Sequence, residues 1–165
     1  MLVEAEFIWG RSRLVQTYCL PKAGTSFEIM QDIFWNEADT MLKLEIPAAF
    51  KGDYLGQGMF GSGSLPQDGT ECVSQKWCGL FGEKHALTIC NSGIYGSHCV
   101  GSTISLSLLR ASAYAAHPIG ARPLVQEERF IPRMDQGEHH LHFSICGGDA
   151  GVRRKCVDMD AEVLN

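Results

Sequence analysis

The chain lacks any apolar run approaching the roughly 20 residues a membrane-spanning helix needs. Its opening, MLVEAEFIW, carries two glutamates where an export signal would carry Lys or Arg. No membrane partner is therefore expected, and Met1 is expected to lead directly into folded protein. A basic stripe is also missing. The fourteen Lys and Arg are scattered, only Arg153-Arg154-Lys155 cluster, and nineteen acids bring the formal net charge to -5, so nucleic acid and anionic lipid are poor partners. The seven cysteines, Cys19, Cys72, Cys78, Cys90, Cys99, Cys146 and Cys156, are odd in number and contain no C-x-x-C. Neither a zinc site nor a complete disulfide framework is expected of them. Most stand among apolar neighbours, as in LTIC and FSIC, so buried free thiols in a reducing cytoplasm are the expected state. Internal repeats, heptads and low-complexity segments are absent, and no His-x-Asp occurs.

What is present is enough for a core. At 165 residues, 45% hydrophobic and 20% charged, residues 1–165 are expected to form a single domain. Strand-like runs cover Leu2 to Trp9, Leu14 to Leu20, Ser26 to Trp35, Met41 to Ile46, Val73 to Leu80, His85 to Cys90, Ile104 to Arg110 and Glu138 to Cys146. In the seventh, Ile104, Leu106 and Leu108 are expected inward and Ser105 and Ser107 outward. Pro-Lys-Ala-Gly, Gly-Ser-Gly-Ser, Pro-Gln-Asp-Gly and Asn-Ser-Gly separate such runs as turns, and eighteen glycines suit many sharp reversals. Ala113 to Met134 holds Pro118, Pro123 and Pro132 and reads as a long loop. Helix is expected almost nowhere. The fold class is all-β, an antiparallel β-sandwich.

Between His85 and Tyr114 the wording HALTICNSGIYGSHCVGSTISLSLLRASAY, with DQGEHHLHFSI from Asp135, resembles the C-terminal β-sandwich region of glycoside hydrolase family 38 α-mannosidases. The order extends on both sides. Phe34-Trp35-Asn36-Glu37 and Met41 to Pro47 resemble the family's D-W-x-E and LKxxxP segments. Phe60-Gly61, Glu71 and Trp77 fall where its FG, E and W recur, and Ala161 to Asn165 resembles its A-x-x-L-N. The likeness covers Ser12 to Asn165. Phe34 and Ser92 stand where the family has Asp, so any polar role of those two acids is not expected here.

The resemblance implies a galactose-mutarotase-like supersandwich that is part of a longer multidomain enzyme. Family 38 enzymes are zinc-dependent retaining mannosidases whose zinc ligands and nucleophile lie in an N-terminal α/β domain. Nothing here resembles that domain, so no catalytic residue and no cofactor is expected in this chain, and zinc is expected in the catalytic domain. The implied partners are that domain and, through the parent enzyme, an α-mannoside. Retention needs two carboxyl groups a short distance apart across the sugar. Glu37, Glu45 and Glu71 read instead as single acids at turns or in water, and Asp135 with Glu138 as a polar strand start. Relatives also carry an Arg at the strand end matching Arg110 that reaches the mannose site. Because family sandwiches continue past A-x-x-L-N, an unpaired strand edge and self-association into a homo-oligomer are expected.

Three residues are the candidate substrate contacts: Arg110, Tyr95 and Asn91. Tyr95 lies in the Asn91 to Gly96 turn, and loops on a rigid sheet carry recognition residues. For Arg110 the competing reading is a surface ion pair. Trp35 and Trp77 sit in strand-like runs and are expected in the core. Strand alternation puts Glu138, His140, His142 and Ser144 on one face of the last strand. His140 and His142 could ligate a metal as in cupins, but such a site needs a further His from a distant strand, so a polar sheet face is the plainer reading. Two alternatives to the mannosidase domain remain: a stand-alone carbohydrate-binding module and a cupin-like metalloenzyme.

Overall fold

A computed structural model describes residues 1–113 and 131–165. Eight strands form one antiparallel sheet in the order β1 (Leu2–Trp9), β2 (Ser12–Cys19), β3 (Ser26–Trp35), β12 (Gly137–Asp149), β9 (His85–Asn91), β8 (Trp77–Phe81), β5 (Asp53–Gly58) and β6 (Gly61–Ser64). Four form a second, in the order β4 (Met41–Pro47), β11 (Thr103–Arg110), β10 (Gly96–Val100) and β7 (Cys72–Val73). The sheets pack face to face because their strands alternate. In β3, Ile29, Ile33 and Trp35 are buried between exposed Glu28, Met30, Asp32 and Phe34. With Phe143 and Ile145 of β12, Ile104, Leu106 and Leu108 of β11, and Tyr54, Leu80 and Ile89, they form the inter-sheet core. Each large apolar side chain so buried contributes about 1.5–3 kcal/mol. The all-β antiparallel sandwich read from the sequence is the architecture found.

The alternation of β11 is broken near its end. Its register against β4 shifts between Ser107 and Leu109, a β-bulge that buries Leu108 and Leu109 together. Ser105, expected to meet water, is 2% exposed because Glu45 and His98 flank it in register. The strand expected over Val73 to Leu80 is two strands in different sheets. Between them the chain crosses, and its backbone is held by bonds from Ser74 N to Tyr95 O and from Gln75 N to Gln57 O.

One helix departs from the sequence expectation. The helix α1 (Ala150–Leu164) begins at Asp149, whose carboxylate accepts from Val152 N at 3.0 Å. Ala150, Val157 and Ala161 face the outer side of the large sheet and close a second core with Leu55, Trp77, Phe81, Ala86 and Cys90. Polar contacts lock it there. Trp77 Nε1 donates to Asp158 at 2.7 Å, and the buried Arg153 donates to Thr88 Oγ1 at 2.8 Å and to Asp160 at 2.7 Å. A helix was legible in the spacing of 150, 153, 157 and 161 behind an Asp cap, but the Gly147-Gly148 pair before it reads as a turn while β12 runs straight through.

All seven cysteines are free, with Cys78, Cys90 and Cys99 buried. Burial pushes the thiols of Cys78 and Cys90 up to about 12, so neither is a nucleophile near neutrality. No described helix is long and apolar enough to cross a membrane. The Ala113 to Met134 loop lies mostly outside the described residues.

Candidate functional site

The end of β11 is fixed by a loop from the far side of the sequence. Arg110 N donates to Asp135 Oδ2 at 2.7 Å, and Met134 N donates to Ser112 O at 3.0 Å. Asp39 N reaches Ala111 O at 2.7 Å, and Ala111 N reaches Thr40 O at 2.9 Å. Both Asp39 and Asp135 hold positive φ, 57° and 53°, a conformation that side chains other than Gly adopt at a cost of about 1–2 kcal/mol. Arg133 offsets this at Asp39 with a two-pronged bond, Nε to Oδ1 at 3.0 Å and Nη2 to Oδ2 at 2.9 Å. That hydrogen-bonded guanidinium holds the Asp39 carboxyl below its ordinary range.

Beside this junction Glu37 organises the tip of the first hairpin. Its Oε1 accepts from Arg11 N at 2.6 Å and from Ser12 Oγ at 3.1 Å, while Ser12 Oγ accepts from Asn36 N at 2.8 Å. Gln136 Nε2 donates to Glu37 O at 2.8 Å, so the loop before β12 closes on the segment after β3. A cleft of about 680 Å³ opens here, lined by Arg11, Asn36, Glu37, Arg133 and Gln136. Glu37 is thus hydrogen-bonded at a turn, as its isolation in the sequence suggested.

Arg110 itself is exposed, and among the described residues its guanidinium forms no ion pair. Its backbone is clamped by Asp135, while its side chain has no ion pair among the described residues. Tyr95 is 56% exposed. Gly96, the next residue, would place a Cβ 3.3 Å from Ser107 Cβ, so Tyr95 and Arg110 stand at one end of the four-stranded sheet. Asn91 is different. Only 1% exposed, its side chain accepts from Gly93 N at 3.1 Å and Ile94 N at 2.7 Å and donates to Gln75 O at 3.2 Å. Its amide builds the turn that presents Tyr95 and is engaged there on both its oxygen and its nitrogen. Ser92 bonds His142 O through its backbone N at 3.1 Å.

His140 and His142 lie on the outer face of the large sheet, each beside a different acid. His140 Nδ1 is 2.6 Å from Asp32 Oδ1, and His142 Nε2 is 3.3 Å from Glu28 Oε2. Among the described residues no three His, Cys, Asp or Glu side chains converge as a metal site would require. Trp35 and Trp77 are core residues at 3% and 2% exposure, as expected.

Glu71 is not the single acid it appears in sequence. Lys43 Nζ donates to its Oε2 at 2.7 Å, His98 Nδ1 lies 3.3 Å from the same oxygen, and Ser107 Oγ donates to Oε1. These groups come from β4, β10 and β11, and only the sheet register brings them together. Burial raises the Glu71 carboxyl, but Lys43, Ser107 and His98 together outweigh it and hold the group low. A depressed carboxyl stabilises the fold above its unfolded value, about 4.3, and loses that contribution as pH falls through the folded value. Glu71→Gln should therefore flatten the acid limb of the thermal midpoint below about pH 4.5. With the side chain 45% exposed, the effect stays under about 1 kcal/mol. Parallel midpoint curves for Glu71→Gln and the parent chain from neutral pH to pH 3 would remove Glu71 from the acid response.

The described residues define a class: an all-antiparallel two-sheet sandwich with one helix on the outer face of the larger sheet. No family model and no curated protein matches the sequence. Among solved structures, the chain is similar to a glycosyl hydrolase family 38 protein from Enterococcus faecalis, with TM-score 0.75 and 13% identity over 92% of this chain and 18% of that one. It is likewise similar to an alpha-mannosidase from Enterococcus faecalis V583, with TM-score 0.74 and 12% identity over 92% and 17%. At those identities the likeness is one of fold. The chain spans less than a fifth of either solved chain.

Proposed function

We propose that this chain is the non-catalytic β-sandwich portion of a family 38 α-mannosidase, bearing on a separate zinc-dependent catalytic body and lending it Arg110, with Tyr95 at the same sheet end, as contacts to the mannoside. The observation that carries this reading is Arg110 at the sheet end, its backbone clamped and its head without an ion pair among the described residues, on a fold shared with part of a solved family 38 chain and part of a solved alpha-mannosidase. A guanidinium held this way adds directed donors to sugar hydroxyls or to a carboxylate opposite. Seven free thiols support a reducing, cytoplasmic setting.

The chain alone is expected to show no α-mannosidase activity, since the family resemblance puts the paired carboxyl groups that retention needs in a separate catalytic domain. Purified chain should leave an aryl α-mannoside intact with and without added zinc. Zinc-dependent turnover by the isolated chain, with host contamination excluded, would overturn the proposal. The cleft of about 680 Å³ edged by Asn36, Glu37 and Gln136 favours one second reading, a sugar-binding module. Saturable mannoside binding by the chain alone, mapped to those residues, would move the assignment there.

A further inference from the structure

We propose that the free edge of β1 is a docking strand for an extended segment of another polypeptide carrying Lys or Arg at alternate positions. β1 ends the eight-stranded sheet and pairs only with β2 among the described residues, in eight consecutive pairs without a register shift. The hydrogen-bond phase follows from its first pair. Met1 N donates to Leu20 O at 2.6 Å and Leu20 N to Met1 O at 2.8 Å, so the odd-numbered residues address β2 and Leu2, Glu4, Glu6 and Ile8 turn their N–H and C=O groups to the open edge. Sheets commonly blunt such an edge with Lys, Pro or a bulge. β1 has no Lys, Pro or bulge, and its edge-blunting charges are Glu4 and Glu6 alone. It instead exposes Leu2 at 72%, Phe7 at 51%, Ile8 at 75% and Trp9 at 56%.

The acids decide the occupant. In antiparallel pairing with a second copy, centring the two-fold at Glu4, Ala5 or Glu6 places one of these Glu side chains directly opposite another, which destabilises a cross-strand pair. A net charge of -5 per chain adds to the repulsion. The self-association expected from the sequence is thus disfavoured at this edge. Arg13 holds Glu6 at 2.5 Å, whereas Glu4 has no ion-pair partner among the described residues. A strand with basic residues opposite Glu4 and Glu6, and apolar residues against Phe7 and Trp9, satisfies the edge amides and the charge together.

The test uses two blocked peptides, Thr-Val-Lys-Val-Lys-Phe-Lys-Thr and its counterpart with Glu for every Lys, titrated into the whole chain and followed by backbone amide NMR. The Lys peptide should shift and protect the amides of Leu2, Glu4, Glu6 and Ile8, and bind more tightly than the Glu peptide. Glu4→Lys should weaken the Lys peptide about 2- to 5-fold and strengthen the Glu peptide. Equal binding of both peptides, protection away from β1, no binding near millimolar peptide, or dimerisation of the chain through β1 would each overturn the proposal. None of these outcomes depends on whether the chain belongs to a mannosidase.

Discussion

Replacing Arg110 with alanine in a full-length enzyme containing this sandwich should lower kcat/KM by about 10- to 100-fold, equivalent to about 1.4–2.7 kcal/mol of transition-state stabilisation. The magnitude follows from the loss of directed, charge-assisted donors at a position whose backbone is anchored by Asp135. Arg110→Lys should recover little, since a single ammonium cannot reproduce a planar fork. Stability should barely move. The side chain is exposed and makes no ion pair among the described residues, so its removal sacrifices little that folding gained. Steady-state kinetics and the thermal midpoint of the same variant separate the possibilities. Unchanged kinetics would return Arg110 to the solvated surface, and a large midpoint loss with intact specific activity would make it structural.

Gly10→Ala should be the most damaging small substitution in the first hairpin, at about 2–4 kcal/mol. Two causes add. Gly10 holds φ of 58°, which costs an alanine about 1–2 kcal/mol, and a Cβ there would lie 2.5 Å from Glu37 Oε1. Relieving that contact means moving a carboxylate that receives Arg11 N and Ser12 Oγ, and hydrogen bonds to a charged group contribute about 1.5–3 kcal/mol. The thermal midpoint should fall by roughly 5–15 °C for a chain of this size. A double-mutant cycle isolates the second cause. In a Glu37→Ala background, Gly10→Ala should cost only the backbone strain, leaving an interaction energy of about 1 kcal/mol or more. Strictly additive penalties would show that Glu37 does not meet the new methyl.

The strands legible in sequence were those with large side chains in alternation. β3 and β9 fall nearly where Ser26 to Trp35 and His85 to Cys90 place them, because buried Ile29, Ile33 and Ile89 carry the period of two. β6 and β10 escaped because their buried or paired positions are Gly63, Ser97 and Cys99, residues that give little hydropathic contrast, and β5 because Tyr54, Leu55 and Gly56 are buried in succession rather than in alternation. Arg110 could be singled out because it ends a clean strand within a family-like motif. The Arg133 to Asp39 clamp and the Gln136 to Glu37 bond could not, since they join residues 94 and 99 positions apart, and no local pattern encodes that proximity. Asn91 shows the opposite limit. The sequence identified its turn correctly, yet only the geometry reveals that the amide is spent inside it.

β12 has a bearing on how the molecule assembles. Residues 137–149 form the strand that joins β3 on one side to β9 on the other. Until that segment has emerged from the ribosome, the large sheet exists only as two separate ribbons, β1-β2-β3 and β9-β8-β5-β6, neither able to close the core. Both seams join residues far apart along the chain, so closure requires long loops to be ordered before any long-range contact is made. Before β12 inserts, Ile29, Ile33 and Ile89 lack a closed large sheet to hold them in the core, which makes the insertion of β12 the expected committing event in folding of this sandwich.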